Sequence, residues 1–206
     1  NMGLISNGTT LLDAGALDSG VAVGRLTLIK TLTASNSANL SFVHGASNVV
    51  LDGTYDNYLF KFLNIHPVST NRIFSVNFRD GGSNFDSPKT STSYRSLHGE
   101  DGNNGALAYT GNDDLSNATG EQSLANGVGA GNDEGLSGEL LFYAPSNTTF
   151  VKHFKATVNF YEDANVTANH FTAGFANTAT AIDGVRFQMS SGNISTGVIK
   201  LYGIGE

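Results

Sequence analysis

The stretch RIFSVNFR, residues 72 to 79, carries the clearest strand pattern of this chain. Phe74, Val76 and Phe78 are expected to point inward, and Ile73, Ser75, Asn77 and Arg79 outward. Successive side chains of a β-strand point to opposite faces, so this alternation predicts a strand with one buried and one outward face.

The stretch NYLFKFLNI, residues 57 to 65, is apolar on both faces apart from one lysine. Such a strand is expected in the middle of a sheet, where both faces are covered. Only the six residues 66 to 71 separate it from residues 72 to 79. This short connection predicts that the two strands are antiparallel neighbours.

Further strand-like stretches continue this pattern through the chain, and no durable helical periodicity interrupts them. They are residues 25–34, 38–43, 92–97, 138–144, 149–161, 169–176, 182–189 and 197–203. The first two are expected to pair with each other. The last should be an interior strand, because an edge strand that is apolar on both faces promotes aggregation. The sequence therefore predicts an all-β fold, a two-sheet antiparallel β-sandwich of jelly-roll type.

Two segments have a different character. Residues 1–24 mix apolar pairs with Gly and Asp, which predicts an extended N-terminal arm in front of a sandwich formed by residues 25–206. Residues 98–135 contain nine glycines and few large apolar groups, and they predict a long acidic Gly-rich loop. A loop of that length is functional, mobile or interrupted by short strands.

Composition excludes several classes of function. The chain has no cysteine, so it forms neither disulfides nor thiolate metal sites. No Lys or Arg lies between Arg95 and Lys152, whereas eight acidic residues do. They are Glu100, Asp101, Asp113, Asp114, Glu121, Asp133, Glu134 and Glu139. This distribution argues against nucleic-acid binding, and the absence of an apolar run of ~18 residues argues against membrane insertion.

The histidines do not form a recognisable catalytic or metal-binding motif. They are His44, His66, His98, His153 and His170, and no two have the spacing of an HExxH motif. His98 with Glu100 and Asp101 is the only local cluster of acids and imidazole; it could bind a cation or act as a base, but an exposed loop explains it as well. There is no GxSxG motif either. We therefore predict no enzyme activity, no cofactor, and no catalytic, cofactor-binding or metal residue.

Two glycine-rich segments offer oxygen ligands for calcium. Residues 80–86 and residues 127–135 both contain acids and amides, but neither has the full spacing of an EF-hand loop. Residues 127–135 also lack the lysine of a phosphate-binding P-loop. Ordinary turns stabilised by Asn and Asp side chains are the favoured interpretation of both.

Four stretches together resemble a family of small virion structural proteins of tailed, often marine, bacteriophages, which include capsid-decoration and tail-fibre-like proteins. They are MGLISNGTTLLDAGALD (2–18), YDNYLFKFLNIHP (55–67), SGELLFYAPSNTTFVKHF (137–154) and SSGNISTGVIKLYGI (190–204). The resemblance implies a protein of the phage particle surface, and it implies no catalytic residues.

Two functions follow as hypotheses. In the first, a homotrimer decorates or cements the capsid, and the arm 1–24 grips a neighbouring subunit, the major capsid protein or another virion protein. In the second, a tail-fibre tip or receptor-binding module recognises host-surface glycans through aromatic and acidic residues of its loops. The candidate pairs are Tyr109 with Asp113 and Asp114, and Phe85 with Asp86. An enzyme such as a depolymerase ranks behind both.

Overall fold

The computed structural model describes residues 4–6, 9–13, 16–17 and 26–205, and all regular structure in these residues is β. Three short strands come first: β1 (Leu4–Ser6), β2 (Thr9–Asp13) and β3 (Ala16–Leu17). They pair in antiparallel fashion as a sheet of their own. The described part of the predicted arm thus contains hydrogen-bonded strands, and the boundary at residue 24 stays a prediction.

Twelve strands form the main sheet. They are β4 (Leu26–Ser37), β5 (Asn39–Val43), β6 (Asn57–Pro67), β7 (Arg72–Arg79), β8 (Lys89–Gly99), β9 (Ala106–Tyr109), β10 (Gln122–Val128), β11 (Leu136–Tyr143), β12 (Lys152–Glu162), β13 (Val166–Ala176), β14 (Gly184–Met189) and β15 (Ile194–Ile204).

Every pairing in this sheet is antiparallel. The strand order is β4-β15-β6-β11-β12-β10-β7-β14-β5, and a branch runs from β12 through β13 and β8 to β9. The two ends of the main path, β4 and β5, follow each other in the chain with only Ala38 between them. The sheet is therefore nearly closed into a barrel. The predicted all-β antiparallel class is confirmed, whereas this single sheet differs in detail from the expected two-sheet jelly roll.

Aromatic rings fill the space inside the sheet. The ring of Phe187 lies 5.1 Å from that of Phe62 and 5.3 Å from that of Phe60, centroid to centroid. The rings of Phe42 and Phe74 also pack against it. All five side chains are buried, and most of their contacts have the edge-to-face geometry that aromatic pairs favour.

Strand β7 confirms the predicted inner face, because Phe74, Val76 and Phe78 are fully buried. The expectation for its outward face is wrong in part, since Ser75 and Asn77 are also buried. Hydrogen bonds explain this burial. Ser75 Oγ donates to the Gln188 carbonyl oxygen, and Asn77 Nδ2 donates to the Thr119 carbonyl oxygen of a segment that covers the strand.

The expected pairing of residues 57–65 with residues 72–79 is wrong. Strand β6 does lie inside the sheet, between β15 and β11, as predicted, but β7 lies between β10 and β14. The short connection carries the chain across the core to the opposite wall. There the ring of Phe62 meets that of Phe74 at 5.2 Å.

Strands β4 and β5 do not form a hairpin, which corrects the second predicted pairing. They are almost one continuous strand; β4 pairs with β15, and β5 pairs with β14. The prediction for the last strand is confirmed, because β15 lies between β4 and β6.

The predicted loop 98–135 contains two strands, β9 and β10. Strand β10 is largely buried on both faces. Its sequence QSLANGV offers no alternation of apolar and polar residues. A strand covered on both sides lacks the period of two from which strands are recognised, which is why the sequence indicated a loop.

Candidate functional site

Within the described residues, the sheet forks where β10 leaves β12, and side chains rather than a backbone ladder join the two branches there. Strand β10 pairs with β12 only at Val128 and Glu162 and then continues along β7, whereas β12 continues along β13. Strand β10 therefore separates from β13 and β8, and polar side chains occupy the space between them. We call this region the seam. Its polar residues are Ser93, Arg95, Asp113, Gln122, Ser123, Asn126, Glu162, His170 and Thr172.

Asp113 is the hydrogen-bonding centre of the seam. It is 5% exposed, and its Oδ1 accepts a hydrogen bond of 2.8 Å from Asn126 Nδ2. Its carbonyl oxygen accepts one of 2.7 Å from Gln122 Nε2, and its backbone N–H donates to the Thr110 carbonyl oxygen. These bonds fix the segment after β9 against β10.

His170 lies in the seam on β13 and is 1% exposed. Its Nε2 is 3.3 Å from Thr110 Oγ1. Burial lowers the pKa of His170 below its ordinary value of 6.5, although the nearby Asp113 carboxylate opposes the shift. Desolvation disfavours the charged imidazolium, so the ring is neutral at neutral pH.

Two further hydrogen bonds run in a chain from β8 through β13 to β10, and the second of them crosses the seam. Ser93 Oγ donates to Thr172 Oγ1, and Thr172 Oγ1 donates to the Ser123 carbonyl oxygen, both at 3.3 Å. Three buried atoms of the seam, Gln122 Oε1, Ser123 Oγ and His170 Nδ1, make no hydrogen bond with the described residues. Buried polar atoms are normally satisfied, so these three call for water or a bound molecule.

The seam opens to the surface in a cleft of about 420 Å³, which we call the seam cleft. The Arg95 guanidinium and the Glu162 carboxylate line it as an ion pair, with Nη1 and Oε1 3.5 Å apart. The amide-bearing residues of its wall are Asn71, Asn112 and Asn126. The cleft therefore presents hydrogen-bond donors and acceptors side by side.

Gly127 allows Glu162 to take this position. Its φ is +98°, in the range that favours glycine, and a Cβ there would lie 3.1 Å from the Glu162 side chain. Another residue would strain the backbone and push the carboxylate away.

A second polar cleft of about 490 Å³ lies beside the connection from β10 to β11, and we call it the loop cleft. Its lining includes Asn64, His66, Asp133 and Tyr161. His66 Nε2 lies 2.9 Å from the Gly131 carbonyl oxygen, and the Glu134 carboxylate accepts a hydrogen bond from the Gly131 backbone N–H. Glu134 of segment 127–135, for which an ordinary turn was favoured over a calcium site, thus stabilises a turn here.

The outer face of the branch β13-β8-β9 carries exposed aromatic and apolar side chains. The rings of Tyr94 and Phe171 stack at 5.2 Å with an interplanar angle of 1°. Leu107 is 74% exposed and Tyr109 is 64% exposed. Tyr109 pairs with Tyr94, which pairs with Phe171, so these side chains share a face. We call Tyr94, Leu107, Tyr109 and Phe171 the outer patch.

The structure brings only part of each predicted sugar-binding pair together. The Tyr109 hydroxyl donates to the Asp114 carboxylate, whereas Asp113 is buried in the seam. Phe85 is half-buried, and the Arg186 guanidinium lies 4.9 Å from its ring centroid. That face of the Phe85 ring is therefore occupied and does not offer a platform for a sugar.

The predicted cluster of His98, Glu100 and Asp101 forms part of a turn. Asp101 Oδ1 accepts a hydrogen bond from the Asn103 backbone N–H, and its Oδ2 accepts one from Asn103 Nδ2. These bonds lower the pKa of Asp101. Within residues 26–205 and the described parts of the arm, no group of three or more His, Asp or Glu side chains is arranged to hold a metal ion.

Lys89 is a buried lysine that the sequence did not indicate. Its side chain is fully buried, and Nζ donates to the Ser87 carbonyl oxygen at 2.8 Å and to Asn77 Oδ1. Burial lowers its pKa to about 8, although Glu121 opposes the shift. Lys89 ties the segment before β8 to β7 and has no access to a ligand.

Comparisons with known proteins add no relative. No protein-family model matches the chain, and neither a curated protein nor a solved structure does. In the part of the chain that the structure describes, no helix is long and apolar enough to cross a membrane.

Proposed function

We propose that the chain is a non-enzymatic structural protein of a bacteriophage particle, which decorates or cements the capsid surface through contacts between subunits. The observation that carries this proposal is the outer patch. Large apolar groups exposed together on one face mark interaction surfaces more often than single exposed ones do. The proposal includes a relationship to jelly-roll virion proteins, which act through their surfaces.

The edge strand β9 supports the same interpretation. Among the residues that the structure describes, β9 pairs only with β8, and all four of its residues are exposed. The unpaired backbone groups of an edge strand readily accept another chain. The outer patch adjoins this edge, so a second copy or a capsid protein could bury apolar side chains and extend the sheet at one contact.

The proposed assembly is a homotrimer bound to the major capsid protein or another virion protein. A stable interface buries about 1,000 Å² or more in total. Residues 1–24 would add contact area to the neighbour without enlarging the core, so their deletion is expected to abolish attachment and leave residues 26–205 folded. Full occupancy of particles by the truncated chain would contradict this part of the proposal.

The outer patch is tested directly by the double variant Phe171→Ser, Leu107→Ser. We expect a lower oligomeric mass in light scattering and weaker binding to particles, because the variant removes exposed apolar area at the contact. Val68→Ser is the matched control, since Val68 is 45% exposed but lies on the loop between β6 and β7. An unchanged mass and unchanged binding in the double variant would refute the proposed contact.

The second candidate function is a tail-fibre tip or receptor-binding module that recognises host-surface glycans. The exposed Tyr109 on the wall of a polar cleft favours it, because aromatic and polar groups together are typical of carbohydrate sites. The number of copies per particle separates the two functions. Many copies indicate the head, and a few indicate the tail.

A further inference from the structure

We propose that the seam cleft is a binding site for a neutral, polyhydroxylated molecule, in particular one residue of a saccharide. This inference goes beyond the structural role, since a capsid-decorating protein and a receptor-binding module could both carry such a site. It rests on the fork of the sheet, on the chemistry of the cleft wall and on the buried polar atoms beside it.

The fork makes the cleft a feature of the fold. Because β10 leaves β12 after one residue pair, a gap opens between β10 and the branch β13-β8. The segment after β9 covers most of this gap through the bonds of Asp113. The part of the gap that stays open is bounded by strands and by the buried, hydrogen-bonded Asp113. The site is therefore formed before a ligand binds.

The cleft wall suits hydroxyl groups. A hydroxyl both donates and accepts hydrogen bonds. The Arg95 guanidinium supplies donors, the Glu162 carboxylate supplies acceptors, and the Asn126 side chain can supply both. Asn71 and Asn112 add two further amides at the wall. A volume of about 420 Å³ lies within the usual range for small-ligand sites.

The charges of the wall argue against other ligand classes. Glu162 and Asp113 oppose one Arg95, so the wall has a formal charge of −1 and repels phosphate and other anions. Arg95 in turn disfavours a bound cation. A neutral ligand avoids both penalties and can still form hydrogen bonds with the wall.

Unsatisfied atoms continue inward from the wall. Gln122 Nε2 donates to the carbonyl oxygen of Asp113, a cleft residue, while Gln122 Oε1 has no partner among the described residues. The His170 ring, whose Nε2 lies 3.3 Å from Oγ1 of the cleft residue Thr110, likewise has a buried Nδ1 without a partner among the described residues. Because these atoms are buried behind the cleft wall, a water molecule between them and a bound hydroxyl would satisfy them.

The test is an NMR titration of the ¹⁵N-labelled full chain with methyl glycosides of glucose, galactose, mannose, rhamnose and N-acetylglucosamine. At least one glycoside is expected to shift the amide signals of Asn112, Asn126 and Gly127. Glu162→Gln keeps the shape of the side chain but removes its charge. It should weaken binding about tenfold, the usual effect of losing one charge-assisted hydrogen bond.

Asp133→Asn is the matched control, because it makes the same change of charge in the loop cleft. It should leave the affinity unchanged. Asn112→Ala replaces an exposed residue of the cleft wall and should also weaken binding. It is the test variant to use if Glu162→Gln fails to fold. The inference is overturned if no glycoside shifts the cleft signals, if the shifts fall in the loop cleft, or if the folded cleft variants bind like the parent chain. Loss of oligomerisation in the outer-patch variant has no bearing on this result.

Discussion

The aromatic core and the seam are both buried, but they are held together by different forces. Around Phe187 of β14, rings from β5, β6 and β7 pack at centroid distances of 5.1 to 6.3 Å. In the seam, the contacts are directional hydrogen bonds together with the ion pair of Arg95 and Glu162. Apolar contacts tolerate small changes of position, whereas hydrogen bonds weaken steeply when misaligned. The core therefore supplies stability, and the seam supplies a geometry that a ligand can recognise.

The largest effect is expected from the core. Phe187→Ala should lower the free energy of unfolding by about 3–5 kcal/mol, because it removes a ring that contacts four others and leaves a cavity. Denaturant unfolding followed by tyrosine fluorescence or circular dichroism would measure this loss.

Phe171→Ala is the matched control for that prediction. Phe171 is 36% exposed on the outer patch, so the same change should cost at most about 1 kcal/mol. If the two variants lose equal stability, the core is not centred on Phe187 as described.

A smaller effect is expected from the seam. Asp113→Ala should cost about 1–3 kcal/mol, because the variant leaves the amide of Asn126 without its acceptor in a mostly buried place. The loss should appear as a lower denaturation midpoint and as faster amide exchange in residues 110–121.

Asp114→Ala is the comparison for Asp113→Ala, since its carboxylate bonds the exposed hydroxyl of Tyr109. It should change stability by no more than about 0.5 kcal/mol. A cost equal to that of Asp113→Ala would show that the buried and the half-buried carboxylate do not differ in their contribution to stability.

The smallest effect is a dependence on pH. Burial lowers the pKa of His170 below 6.5, so the unfolded chain binds a proton more readily than the folded one as the pH falls. The contribution of the neutral His170 ring to the free energy of unfolding is fully present above about pH 6.5 and is lost progressively below that value. Asp113 and Arg95 are the charged groups near the ring, and they act in opposite directions.

The measurement is the thermal midpoint of the parent chain and of His170→Gln between about pH 7 and pH 5. The parent midpoint should fall more steeply than that of the variant, whatever the difference in their absolute values. His153→Gln, a change on the exposed face of β12, should keep the parent slope. Equal slopes for the parent and His170→Gln would show that the ring does not titrate as described.

The sequence predicted the core well because the core obeys a simple period. Phe74, Val76 and Phe78 alternate with other residues, and all three are buried. The sequence did not predict which strands are neighbours in the sheet, because a connection of six residues can join two strands of one wall or cross the core to the opposite wall. The ring contact between Phe62 and Phe74 is a property of the assembled fold.

The seam could not be predicted in the same way. Arg95, Asn126 and Glu162 come from three strands that are far apart in the chain, and no motif links them. The sequence did single out Tyr109 and Asp113 as neighbours of interest, but it assigned Asp113 to a ligand rather than to Asn126. Strand β10 was missed for a related reason, because both of its faces are buried and its polar residues Gln122, Ser123 and Asn126 do not alternate with apolar ones.

The position of β15 has a consequence for how the chain is made. Residues 194–204 insert between β4 and β6, two strands that are synthesised much earlier than β15. Until then each of those strands lacks a partner along one side, and contacts between remote parts of a chain form slowly. Nascent copies in close proximity would therefore be prone to exchange this segment, which makes translation rate and chaperone supply determinants of the yield of native protein.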